Sequence, residues 1–444
     1  MMEDKGSAIA ILGSGTWGLS TALYLTDAGY TNITVFDKAE EIPSRYSAAH
    51  DLNKIVRPEY EDPFYTELAL QSIEGWKTPL FGPYYHQTGY VVAATGRAPE
   101  KATKHLREAL ASIKDHPVIK SSVSALDEPE DFRKLFWQFR GPVTGFKGYL
   151  NRHAGYAHSA NALKGIHRHL AGRGVRFIIG PQHGKVNELL YDGAGTSRRC
   201  TAVKTADGTI HPASLVISCL GAFQAEILPN VGRFSIAKSW SVAHVQLTDA
   251  ECDLLRGIPV LNVRDLGFFF EPDPVTKLFK LCPLGAGYVN TDKTTGISLP
   301  PLDALPPPQD YVPAEDEAKM RQLLRETLPW LADRPFVDQK MCWFADTADS
   351  EYCIDFVPET NRSVVVMTGD SGHGFKMMPV AGSWVLDLLK NGRQKLPRWQ
   401  FRQSSAGREE GIQDWGDAVS WRIGTTKEIQ SVIQEQNRML KARL

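Results

Sequence analysis

The residues Ala8-Ile9-Ala10-Ile11-Leu12-Gly13-Ser14-Gly15-Thr16-Trp17-Gly18 decide the fold. Ala8 to Leu12 is a short apolar run of the kind that forms a buried strand. Thr16 to Asp27 follows with helical spacing, Gly29 stands where a helix stops, and Ile33 to Phe36 is a second β-rich run. This is a βαβ opening, with Gly13, Gly15 and Gly18 in the order G-x-G-x-x-G between strand and helix. In that context Gly13 serves the tight turn, Gly15 the approach of backbone to a pyrophosphate, and Gly18 the packing of helix on strand, with the phosphates at the positive helix end. Asp37 closes the second run, 19 residues beyond Gly18, where its carboxylate accepts hydrogen bonds from a ribose. An acid there argues against a 2′-phosphate and leaves FAD and NAD both open.

Working outward, Val175 to Ile179, Leu215 to Cys219 and Val364 to Thr368 are further strand-like runs suited to the same sheet. The nucleotide domain is then assembled from separated pieces of chain. Between them, Phe234 to about Gln339 carries alternating segments such as Ser239 to Leu247 and Leu278 to Leu281, which read as mainly antiparallel sheet. Leu299 to Pro313 is rich in proline and reads as a surface loop. The expected fold is α/β (α+β overall): a Rossmann-type domain interleaved with a mainly antiparallel β-sheet substrate domain. Residues 1–88, 150–232 and 338–402 fall to the first, 89–149 and 233–337 to the second. Residues 403–444 form a polar tail that turns helical from about Thr426.

The 444 residues carry a net charge of −1, with no basic stripe and no apolar run of membrane-spanning length. Nucleic-acid and membrane partners are therefore not expected. Six cysteines are scattered without a CxxC pair, so no metal site is expected and free thiols are. The start, with Glu3 and Asp4, lacks the features of a signal peptide, and Ala442-Arg443-Leu444 is a conservative variant of the S-K-L peroxisomal address. A peroxisomal, otherwise cytoplasmic, location is expected.

Several motifs resemble the fructosyl amino acid oxidases (amadoriases), within the sarcosine-oxidase-like flavin amine oxidases. They are Ser47-Ala48 with Asp51-Leu52-Asn53-Lys54-Ile55, Gly155-Tyr156, Trp240 with Ala243-His244-Val245-Gln246-Leu247-Thr248, and Gly267-Phe268-Phe269-Phe270-Glu271-Pro272. The two nearest matches are Met341-Cys342-Trp343-Phe344-Ala345-Asp346-Thr347-Ala348-Asp349 and Thr368-Gly369-Asp370-Ser371-Gly372-His373-Gly374-Phe375-Lys376. The likeness runs in patches to about Arg402.

The resemblance implies FAD, attached covalently through its 8α carbon to Cys342. It implies a cofactor cradle of Gly13, Gly15, Thr16, Trp17, Gly18, Asp37, Lys38, Ser47, Asn53, Lys54, Val186, Gly221, Asp370, Gly372, Gly374, Phe375 and Lys376. Lys54 resembles the lysine over the flavin that assists reaction with oxygen, where a fixed cation stabilises developing negative charge. Lys280 resembles a second lysine near the flavin, and Lys376 one close to substrate and flavin. On the substrate side the resemblance points to Tyr60, Trp240, Leu284 and Ser371, and to Arg402 as the grip on a substrate carboxylate, since a guanidinium binds two oxygens at once.

One departure concerns the substrate. The family follows the lysine strand with Cys-Asp-Glu-Phe-Pro-Gly, whereas here Cys282 is followed by Pro283-Leu284-Gly285-Ala286. The acidic pair that holds a sugar is gone, and losing a buried polar contact costs about 1–3 kcal/mol. A less polar N-substituted amino acid becomes a candidate: an N-methyl, sarcosine-like or pipecolate-like substrate, with the imine either hydrolysed or captured within the molecule. The expected reaction is oxidation of a secondary amine to an imine, with O2 reduced to hydrogen peroxide, by a monomer. Rival readings are a flavin dehydrogenase with another acceptor and a non-catalytic nucleotide-binding protein.

Overall fold

The computed structural model describes residues 4–301, 311–402 and 422–443. Ile9–Leu12 (β1) is buried at every position, as a strand covered on both faces must be. It leads through Gly13 into helix Thr16–Asp27 (α1) and on to Ile33–Asp37 (β2). Gly13 has φ +95°, and a Cβ on Gly18 would lie 1.9 Å from the Gly13 carbonyl oxygen, so both positions exclude side chains. β1 pairs in parallel with β2 and with Leu215–Ser218. Arg176–Ile179 and Val364–Thr368 extend the sheet, and antiparallel Cys353–Phe356 closes it at six strands. All three distant runs read from the sequence join it.

The second sheet has ten strands and is mainly antiparallel. Its centre is Ser235–Gln246, flanked by Leu278–Pro283 and by Phe336–Thr347. Phe336–Thr347 pairs along nearly its full length with Ser235–Gln246, so a domain boundary at 338 falls inside a strand of this sheet. Lys147–Asn151 likewise belongs here, paired with Tyr90–Ala94. Lys427–Glu428 adds an edge strand beside Tyr288–Val289, and helix Ile429–Arg443 follows. Residues 302–310 of the proline-rich passage, residues 403–421 of the tail, and Leu444 of the C-terminal tripeptide lie outside the described residues. No helix of the described residues is long and apolar enough to cross a membrane.

Two local elements position the site. Lys54–Val56 (β3) pairs with Gly155–Ala157. Helix Pro63–Trp76 (α2) begins at Asp62, whose carboxylate accepts the Phe64 N–H at 2.9 Å, with Pro63 at the first helical position. The short stretch between them, Arg57 to Tyr60, is thereby fixed at both ends.

Candidate active site

One continuous cavity runs between the two sheets. At its first end stand Gly13, Gly15, Thr16 and Trp17, with Asp37 and Lys38 from the end of β2, and Ser47, Val186 and Gly221 close by. Asp37 is held ready by its neighbours: Oδ2 accepts from the Ser14 amide at 2.9 Å and the Ser14 hydroxyl at 2.7 Å, and Oδ1 from the Ala39 amide at 2.9 Å. Lys38 lies over the Phe223 ring at 3.5 Å.

The other end is built largely by strands of the second sheet. On Leu278–Pro283 the period of two puts Lys280 and Cys282 on one face, continued by Leu284 just past the strand, and all three line the cavity. Phe279 and Leu281, between them, point into the apolar core. Cys342 sits in register with Trp240, and both line the cavity. Of the six cysteines, Cys342 is the one not fully buried. The Lys54 ammonium donates to its Sγ at 3.6 Å. Burial pushes the neighbouring Cys282 thiol up to about 12, which leaves it protonated.

Lys54 and Lys280 share one counter-ion. Asp51 Oδ2 lies 2.7 Å from Lys54 Nζ and 2.5 Å from Lys280 Nζ. Burial works against the Asp51 charge, but Lys280 and Lys54 overcome it and hold the carboxyl well below its usual range. Burial works against the Lys54 charge as well, but Asp51 together with Cys342 overcomes it and raises the Lys54 pKa.

The loop after Val364–Thr368 supplies Asp370, Gly372, Gly374, Phe375 and Lys376 to the lining. Asp370 caps it, accepting from the Ala345 and Gly372 amides at 3.0 and 3.1 Å, and burial raises its pKa to about 6. A Cβ on Gly372 would lie 2.3 Å from the Trp240 ring, so glycine is what lets loop and strand meet. Lys376 donates to Tyr60 Oη at 2.7 Å and to the His373 carbonyl at 3.1 Å, and Tyr60 also lines the cavity.

Four residues expected at the site lie outside the lining. Gly18 is behind it, packing α1 on β1. Asn53 is fully buried beside Lys54, with neither amide atom hydrogen-bonded among the described residues, and its carbonyl accepts from Lys280 at 2.6 Å. Ser371 is fully buried, its Oγ accepting the Thr347 amide at 3.1 Å. Arg402 does not reach the cavity: its guanidinium is engaged 3.0 Å from Asp349 and packs over Phe234.

The sequence reading missed two arginines that do line the cavity, Arg57 and Arg264. Arg57 lies over the Tyr60 and Tyr90 rings at 5.2 and 5.8 Å. Arg264 is 3% exposed, and burial pulls its pKa down to about 10, still charged at neutral pH. Arg57 was within reach, three residues after Lys54 in Lys-Ile-Val-Arg. Nothing local marks Arg264. The lining as a whole holds seven lysines and arginines against three carboxylates, Asp37, Glu226 and Asp370, so it favours an anionic occupant.

These residues fit FAD. A glycine turn facing a helix end suits the pyrophosphate, Asp37 the ribose, and the unpartnered Asn53 amide offers hydrogen bonds beside Lys54. The comparisons with known proteins agree. Residues 8–388 match the family model described as FAD dependent oxidoreductase, and the chain belongs to that family. It is 34% identical over 420 residues to L-saccharopine oxidase of Schizosaccharomyces pombe, covering 90% of this chain and 94% of that protein. A monomeric sarcosine oxidase of a Bacillus species is 23% identical over 402 residues, covering 87% and 92%. The structure of the fructosamine oxidase Amadoriase II of Aspergillus fumigatus superposes with a TM-score of 0.85 at 32% identity, covering 96% of each chain. The resemblance to the amadoriases and sarcosine oxidases is thus borne out: the protein is an FAD-dependent oxidoreductase of the type that acts on amino acid amines.

Proposed function

We propose that this enzyme oxidises the C–N bond of a secondary-amine amino acid bearing more than one carboxylate, of the saccharopine type, with O2 as electron acceptor. The observation that carries this reading is the pair of arginines, half-buried Arg57 and buried Arg264, on the wall that also holds Lys376. A monocarboxylate substrate occupies one guanidinium; a glutamate-derived secondary amine presents two carboxylates near its nitrogen and engages both. Leu284 supports the same choice, because its side chain makes no hydrogen bonds to a sugar hydroxyl. The relative that oxidises L-saccharopine is 34% identical along nearly the whole chain.

The cavity residues would hold FAD, which would supply the hydride acceptor for the amine and the route by which O2 is reduced to hydrogen peroxide. Lys54 and Lys280, fixed by Asp51, place positive charge where oxygen is reduced. Cys342, beside Lys54, is the residue to which the flavin is joined. Chain and cofactor work as a monomer.

The test has two parts. Yellow colour that stays with acid-precipitated protein supports the Cys342 linkage, and colour released to the supernatant refutes it. A peroxide assay then compares L-saccharopine, N-methyl amino acids and fructosyl amino acids at equal concentration. The expected order puts L-saccharopine first. Preference for fructosyl substrates would refute the carboxylate reading.

A further inference from the structure

Arg422 lies beyond residues 8–388, the stretch that matches the family model, yet it is fully buried. Burying a guanidinium is costly unless acceptors take up its donors, so its partners show what it holds. They lie on one short turn. Nη2 donates to the Asp346 carboxylate and, at 2.8 Å, to Ser350 Oγ; Nη1 donates to the Thr347 carbonyl at 3.3 Å. Asp346 also pairs with buried Lys238 at 2.8 Å. Asp346 and Thr347 end the strand that carries Cys342, and Ser350 stands in the turn after it. Ser350 has φ +59°, a conformation that residues with side chains seldom adopt unless their surroundings hold them there. A planar guanidinium that grips three points of the turn does so.

The turn leads to the cavity. The Ser350 carbonyl accepts from His373 Nε2 at 2.9 Å, and His373 Nδ1 lies 3.0 Å from Tyr60 Oη and 2.9 Å from Tyr352 Oη. Tyr60 also receives Lys376 at 2.7 Å, and its ring lies 5.2 Å below the Arg57 guanidinium. Tyr60, His373, Lys376 and Arg57 all line the cavity. The residues that follow Arg422 hold a second part of the wall. The Thr426 hydroxyl donates to the Ala286 carbonyl at 3.4 Å, and the Lys427 amide to the Gly287 carbonyl at 3.2 Å. Those carbonyls belong to the turn that follows Leu284, itself a lining residue.

We propose that Arg422 is a positioning residue of the active site: through Ser350 and His373 it sets Tyr60, and with Tyr60 the places of Lys376 and Arg57 at the substrate end. The inference rests on the amine-oxidase reading of the cavity. Lys54 and Lys280, the cations assigned to oxygen reduction, hang instead on Asp51. Arg422 therefore acts on the half-reaction in which substrate reduces the flavin and not on the one in which oxygen reoxidises it.

The test reads the two half-reactions apart. Holoenzyme is mixed rapidly and anaerobically with L-saccharopine, sarcosine or N-methyl-L-alanine, and the reduced enzyme is then mixed with O2. A displacement of about 1 Å within a site costs about 100-fold in rate. Arg422→Met is expected to slow flavin reduction by about 10- to 100-fold and to leave reoxidation within about threefold of wild type. Arg422→Lys keeps the charge beside Asp346 but cannot span all three acceptors. It is expected to lose less, in the same half-reaction, and serves should the Met variant fail to fold. Tyr60→Phe supplies the second arm: it slows reduction in the wild type and adds less than its full factor in the Arg422→Met background, because the two residues act as one unit. Equal slowing of reduction and reoxidation, or factors that multiply in the double variant, would make Arg422 a stabilising residue only and overturn this inference alone. No flavin reduction of the wild type by any of the amines overturns the proposed function and this inference with it.

Discussion

Asp51 and Lys280 meet in the core at 2.5 Å, Oδ2 to Nζ, with both side chains buried. The same oxygen holds Lys54 at 2.7 Å, so one carboxylate fixes two of the cations at the flavin end of the cavity. Breaking a buried ion pair by removing one partner costs about 3–5 kcal/mol. Asp51→Asn is expected to lose that much in urea unfolding. The pH dependence follows from the depressed pKa: the carboxylate contributes stability that is fully present above its unfolded value of about 3.9 and is lost as pH falls through the lower folded value. The advantage of wild type over Asp51→Asn is therefore expected to shrink below about pH 4. A constant advantage down to pH 2 would remove Asp51 as the anchor.

Lys54 and Lys280 differ in what surrounds them, and their substitutions should differ as well. Both are expected to act on the oxygen half-reaction: replacing a fixed charge that stabilises developing negative charge costs about 100-fold in rate. Stopped-flow reoxidation of the reduced enzyme by O2 measures this directly, with the rate of reduction by substrate as the control. Lys54 also donates to Cys342 Sγ, so Lys54→Met is expected to leave part of the flavin extractable by acid, whereas Lys280→Met is not. Equal flavin retention in the two variants would separate Lys54 from the cysteine.

The opening βαβ unit and its glycine turn were legible because the features are local: a strand, three glycines and an acid lie within residues 8–37. The alternation Lys280, Cys282, Leu284 was equally local, and the structure puts all three on the cavity wall. Arg264 was not legible. It follows Val260–Val263, whose parallel partner is Tyr90–Ala94, and only that distant pairing turns the arginine inward. Arg402 shows the converse: a motif match supplied its expected role, and its contact with Asp349, more than fifty residues earlier, left no local mark. The split of strand Phe336–Thr347 at 338 has the same origin, because strand partners far apart in sequence leave no local mark.

Arg264 carries the substrate reading, so it supplies the sharpest test of it. A hydrogen bond to a charged group is worth about 1.5–3 kcal/mol, or about 10- to 150-fold in affinity. Arg264→Met is expected to raise KM for L-saccharopine by that factor and to leave KM for a monocarboxylic N-methyl amino acid within about threefold of wild type. Arg402→Met, outside the cavity, is expected to leave both within about twofold. A loss at Arg402 that exceeds the loss at Arg264 would restore the motif-based assignment.

Lys376 makes a prediction that needs no substrate at all. Its folded pKa lies below the unfolded value of about 10.4, chiefly through burial. Between those two values the unfolded chain binds a proton at this site that the folded chain does not, so stability rises with pH across the window and is lost as pH is lowered through it. The limiting slope from one such group is about 1.4 kcal/mol per pH unit. Lys376→Met lacks the group, so its unfolding free energy should rise less steeply with pH than that of wild type between pH 8 and 10. Chemical denaturation of both proteins in that range measures the difference, and the hydrogen bonds lost in the variant shift its curve without tilting it. Parallel curves would mean that Lys376 is charged in the folded protein.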